Sequence, residues 1–302
     1  MNEPDEPTLT GPVGERFRLG RVVARSFAIW ARELPLLLAL ALVVHAPCVA
    51  AVECLASAEA KFPEAEAAAP GSSAPADDTR EYGEKVSQWL RQTDRIQKAS
   101  LHLQWLFAHL SLAFVTFAVC ARLRGQRAGL RESVRGGLRR LVPVLHVSLC
   151  LVILEAALYW GFFSVLWPLV LRSDDSIDRM LPYWPLASVS VVALLLSQFW
   201  VAVPAAVVEE PRRLLRRSWR LTGGHRLGVA TIALLVFAVD WGTDRLIAVA
   251  STGLPVPVRK GIWWTEDLLV VSLTAVFAAV GYHALRLEKE GVDVSDLERV
   301  FT

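Results

Sequence analysis

The fold class predicted by this sequence is an all-α integral membrane protein: six transmembrane helices forming three helical hairpins. Three observations predict it. Six long apolar blocks divide the 302 residues, basic residues gather in alternate gaps between them, and a short basic motif recurs before every second block. Hydrophobic residues make up 54% of the chain and charged ones 21%, where soluble domains run at about half and a quarter. Mean hydropathy is +0.39. A soluble bundle would show polar stripes along its helices, and the stretches 34–44 and 227–239 have none.

Each element follows in order. Residues 1–14, with Pro4, Pro7 and Gly11, read as a disordered tail, and residues 15–302 as one membrane domain. The spans fall at 35–55, 100–121, 141–168, 184–207, 227–249 and 263–284, each near the roughly 20 residues that cross a bilayer core. Trp167, Trp184, Trp263 and Trp264 stand near block ends, where indole rings prefer the headgroup boundary. Residues 57–98 form the one sizeable loop, external in this reading. Within it, Pro63 to Ala76 is Ala/Pro/Ser-rich, and Asp78 with Glu81 reads as a capping box starting a helix that runs into the second span. Ala56-Ser57-Ala58 has the form of a signal-peptidase site, but the polar lead is too long and the apolar stretch exceeds an ordinary signal core, so the first span is read as uncleaved.

Twenty-one Lys and Arg lie in the even-numbered gaps and the two ends, against ten in the others, with Arg245 inside the fifth block. By the positive-inside rule both termini are cytoplasmic. The recurring motif is Val23-Ala24-Arg25-Ser26-Phe27, Leu130-Arg131-Glu132-Ser133-Val134 and Leu215-Arg216-Arg217-Ser218-Trp219. It predicts three copies of one unit: a basic amphipathic interfacial helix, a span in and a span back. Because every copy returns to the same side, the copies are parallel, and the inverted repeat of many secondary transporters is absent. Pro35 suits the first turn of the first span, and Gly223-Gly224 suits the end of the third interfacial helix.

A net charge of +2 is too balanced for a dedicated nucleic-acid binder, and Cys48, Cys54, Cys120 and Cys150 lack the spacing of a zinc site or disulfide framework. There is no phosphate-binding loop, metalloprotease motif or nucleophile elbow. The expectation is therefore no catalytic residue, no cofactor and no metal. Two sets of candidate site residues remain. Arg131, Arg135, Arg216, Arg217 and Arg220 are expected to meet anionic lipid headgroups, the predicted partner. Whether a protein partner or a second copy also binds, the sequence does not specify. His45, His109, Glu155, Asp240, Asp244 and Arg245 are ionisable residues within spans, which are costly and hence functional candidates. His109, Glu155 and Asp240 each lie roughly 20 Å, and His45 roughly 15 Å, from the basic edge. Glu155 and Asp240 are expected to point into the bundle, one of them meeting a histidine, Arg245 or water.

The run Val207-Val208-Glu209-Glu210-Pro211, continued by Leu214 to Gly224, resembles a hallmark of bacterial multi-pass proteins. These belong to the group named after the membrane domain of glycerophosphoryl diester phosphodiesterases. Tyr282 to Arg286, with Lys289-Glu290-Gly291 and Asp293, resembles their closing motif, although Ala284 stands where that motif carries an acid. The resemblance implies a six-span helical domain in the bacterial inner membrane. It brings no activity with it, because the phosphodiesterase chemistry belongs to a separate soluble barrel. The sequence thus favours a membrane-embedded binding or scaffold module, with a transporter or channel using a polar midplane path as its rival.

Overall fold

A computed structural model describes residues 17–57, 76–123, 125, 126, 128–171, 194–209 and 213–291. The expected tail, residues 58–75 of the external loop and Asp293 lie outside the described residues. Among these residues there are helices and no strands. The long helices are α1 (Leu19–Ser57), α2 (Ala76–Leu123), α4 (Leu141–Leu171), α7 (Arg226–Ala250) and α8 (Val256–Glu290). Between them lie α3 (Leu130–Arg139), a 3-10 turn (Ser197–Phe199), α5 (Ala202–Val208) and α6 (Leu214–Thr222).

Among the described residues four segments are long and apolar enough to cross a membrane: Leu19–Val52, His102–Leu123, Leu141–Leu158 and Val256–Glu290. The expected fourth and fifth spans are not among them. Of the fourth, residues 184–193 lie outside the described residues, and the remainder belongs to a short apolar segment, Leu194–Val208. The fifth is α7, whose second half carries Asp240, Asp244 and Arg245.

Two of the three expected interfacial helices are separate. α3 ends at Arg139 with a one-residue break at Arg140, and α6 gives way to Gly223 and Gly224, the latter at φ +85. The first is not separate: α1 runs unbroken through Pro35 and Pro47. Pro35 removes one backbone donor from the ladder, and no glycine or left-handed residue follows to turn the chain there.

Units one and three are antiparallel pairs. Glu33 meets Arg122 at 3.0 Å and His45 meets Ser111 at 3.4 Å, so α1 and α2 run oppositely. His225 meets Glu288 at 3.2 Å and Thr243 meets Glu266 at 2.6 Å, giving the same result for α7 and α8. The second helix of each unit lies inside. Of the most apolar windows, 56% in α2 and 61% in α8 is buried, against 28% in both α1 and α4. All seven residues of α5 are buried.

The recurring serines explain how the units join. Ser26, Ser133 and Ser218 are all completely buried. Each sits on the inward face of its basic helix and lets that helix approach the second helix of the preceding unit. Beside Ser133, Gly136 and Gly137 press so closely on Phe117 and Phe114 of α2 that an added Cβ would lie 2.3 and 2.7 Å from the rings. Ser218 donates a 2.8 Å hydrogen bond to the Gln198 carbonyl ahead of α5. Next to Ser26, Phe27 packs edge-on against Phe277 of α8, and the Trp30 indole donates to Ser272 at 2.9 Å. The N-terminal part of α1 therefore packs on α8.

Candidate functional site

The two segments that carry the family resemblance meet at one ionic cluster. Glu209 follows the last turn of α5, and the chain returns through Arg213, whose left-handed backbone (φ 54, ψ 42) is the one positive φ among described non-glycine residues. Such a conformation costs about 1–2 kcal/mol. It starts α6 so that Arg217 faces back onto Glu209. The guanidinium Nε lies 2.8 Å from Glu209 Oε2 and its Nη2 lies 3.0 Å from Oε1, a bidentate pair.

From α8, Tyr282 donates its hydroxyl to Glu209 Oε1 at 2.6 Å, and Glu290 accepts from Arg217 Nη2, also at 2.6 Å. Arg286 reaches the same Glu290 from one turn earlier, at 3.3 Å. Burial works against the charge of Arg217, yet the hydrogen bonds to Glu290 and Glu209 outweigh it and hold the guanidinium more firmly protonated than usual. Burial likewise opposes the Glu290 carboxylate, and Arg217 and Arg286 overcome it, leaving its pKa below the ordinary range. Lys289 completes the junction by donating to the Arg220 carbonyl at 2.7 Å and to that of Gly223. A cation there satisfies the free carbonyls at the end of α6.

Arg217 therefore departs from its expected place among the headgroup arginines: its guanidinium is turned inward to carboxylates. Arg131, Arg135, Arg216 and Arg220 are exposed on α3 and α6. Sequence reasoning gave no role to Glu209, Tyr282 or Glu290. The available signal was the presence of acids where two apolar helices end in otherwise basic surroundings.

The intramembrane candidates fall into two groups. In one, the His109 ring of α2 lies 3.4 Å from the Glu155 carboxylate of α4, while the His45 ring of α1 lies 3.4 Å from the buried hydroxyl of Ser111. In the other, Asp240 and Asp244 of α7 lie near Glu266 and Asp267 of α8, close enough for their charges to act on one another. Thr243 donates to Glu266 at 2.6 Å, and the Arg245 guanidinium stacks over Trp241 at 5.5 Å. Glu155 thus meets a histidine, but its partners differ from those of Asp240. Among the described residues no group of three or more His, Cys, Asp or Glu is arranged to hold a metal.

No family model, curated protein or solved structure matches the chain.

Proposed function

We propose that the chain is a non-enzymatic, six-span protein of the bacterial inner membrane, built as three hairpins with both termini cytoplasmic. It acts there as a membrane-embedded binding or scaffold module whose basic helices meet anionic headgroups. The resemblance to the phosphodiesterase membrane-domain group is part of this proposal, supported by the convergence of both resembling segments on one ionic cluster. The observation that carries the functional reading is the shared build of α3 and α6. Each buries a serine face against the bundle and presents arginines (Arg131 and Arg135, Arg216 and Arg220) to the surroundings.

The transporter reading is weaker. It needs a polar path joining Glu155 to Asp240, and the two carboxylates have separate partners. Cavities of about 270 and 340 Å³ open beside Arg122 and beside Arg21, and the one that His45 shares with Asp267 measures only about 40 Å³ and includes neither Glu155 nor Asp240.

The test is thermal unfolding after reconstitution into anionic and into zwitterionic bilayers. The parent should be more stable in the anionic bilayer, most of all at low salt, and Arg131→Glu with Arg135→Glu should remove part of that gain. Equal melting in both bilayers at every salt concentration would leave the arginines with a topological role alone.

A further inference from the structure

The cavity of about 340 Å³ lies between the first turns of α1 and the last turns of α8, both among the four helices able to cross a membrane. Its size falls within the range of small-molecule sites, roughly 300–1,000 Å³. One rim is built by Arg18, Arg21 and Arg25, spaced to lie along one face of α1, and the floor by Val22, Val280 and Leu287. Among the described residues that line it, none is acidic. Glu288 of α8 accepts from the backbone of Phe17, at the edge of the cleft, at 2.7 Å and pairs with His225 at 3.2 Å.

A row of guanidinium groups above an apolar floor matches one kind of molecule, with a phosphate at one end and hydrocarbon at the other. We propose that this cleft holds a single anionic phospholipid, its phosphate at Arg18, Arg21 and Arg25 and the start of an acyl chain along Val22, Val280 and Leu287. Planar guanidinium forks suit phosphate oxygens, and basic pockets between membrane helices on the cytoplasmic side are established headgroup sites. A lipid here would also bridge α1 and α8, the first and last of the long helices.

The inference rests on α1 and α8 crossing the bilayer. The experiment is native mass spectrometry of the full-length protein, purified in detergent with phosphatidylglycerol or phosphatidylcholine added. One phosphatidylglycerol should be retained and phosphatidylcholine should not. Arg18→Gln with Arg21→Gln, both exposed positions, should weaken retention about thirtyfold, the effect of two basic contacts near a headgroup. Ala284→Leu, which fills the cleft and keeps every charge, should weaken it as well. The equal-charge control Arg91→Gln with Arg95→Gln, exposed on α2 and outside the cleft, should retain lipid as the parent does.

Unchanged retention in the Arg18/Arg21 variant, or equal loss in the control, would overturn the site. Displacement of the lipid by millimolar inorganic phosphate would reassign it to a free anion and overturn the lipid proposal. Failure of the underlying membrane reading is distinguishable, because the protein would then leave membranes in alkaline carbonate. Failure of the cleft alone leaves it membrane-bound without retained lipid.

Discussion

At one end of the bundle, Arg217 lies between Glu209 and Glu290, with Tyr282 and Arg286 completing their hydrogen bonds. At the other, Asp240, Asp244, Glu266 and Asp267 crowd onto two helices, with Thr243 donating to Glu266. The packing follows the same division. The buried core is densest toward the basic end, through Val201 to Val208 and Leu273 to Leu285, whereas Thr252 to Thr265 at the opposite end are exposed. Charge that joins three helical segments fixes the fold. Four carboxylates crowded onto two helices, with Arg245 turned to Trp241, do not, so the two ends should respond differently to the same kind of substitution.

The largest effect should come from removing one member of the ionic cluster. Glu209→Ala leaves Arg217 and Tyr282 short of an acceptor, and breaking a buried pair from one side costs about 3 kcal/mol. Thermal unfolding in detergent should show this loss. Adding Arg217→Ala should cost less than the two single losses combined, because the stranded charge is gone. Full additivity would mean that the pair is not coupled.

Next comes the close approach of α3 to α2. Gly136→Leu must displace Phe117, and overpacking of this kind costs about 1–3 kcal/mol. Gly261→Leu, at an exposed helical position with no neighbour near its Cβ, should leave the melting temperature almost unchanged. Similar losses at both positions would break the argument for a tight seam.

Much of this architecture is legible in the sequence, and the reasons differ by element. The apolar blocks announce long helices because hydrocarbon demands length. The serine motif announces helix contacts because a small side chain is needed wherever two helices touch, and Ser26, Ser133 and Ser218 all prove buried. Gly223-Gly224 marks the end of α6 because Gly224 adopts a positive φ. The break expected at Pro35 does not occur, because proline removes a donor without turning the chain. The partners of Arg217 were hidden for a different reason. Glu209 and Glu290 stand 8 and 73 positions away, and only packing brings them together. Glu155 and Asp240 lie at similar depth in the sequence reading, yet depth says nothing of which way a helix face turns.

A smaller effect concerns pH. The Glu290 pKa is depressed in the folded protein, so its contribution is fully present above the unfolded value of about 4.3. It is lost as pH falls through the lower folded value. Glu290→Gln should therefore destabilise the protein at neutral pH and flatten this part of the acid loss. An unchanged acid limb in that variant would remove Glu290 from the cluster's energetics. The smallest effect is expected at the far end. Asp244→Asn relieves like-charge crowding, and the melting temperature should stay the same or rise slightly. A loss as large as that of Glu209→Ala would erase the contrast between the two ends.

The central claim is that these ends lie on opposite sides of a membrane, the basic one facing the cytoplasm. Single cysteines at Gly125, beside the basic helices, and at Thr252, in the turn between α7 and α8, decide this in a background with all four native cysteines replaced. A membrane-impermeant thiol reagent added to intact spheroplasts should label Thr252→Cys and spare Gly125→Cys until the membrane is broken. Labelling of Gly125→Cys alone would reverse the orientation, and labelling of both from outside would contradict the spanning arrangement itself.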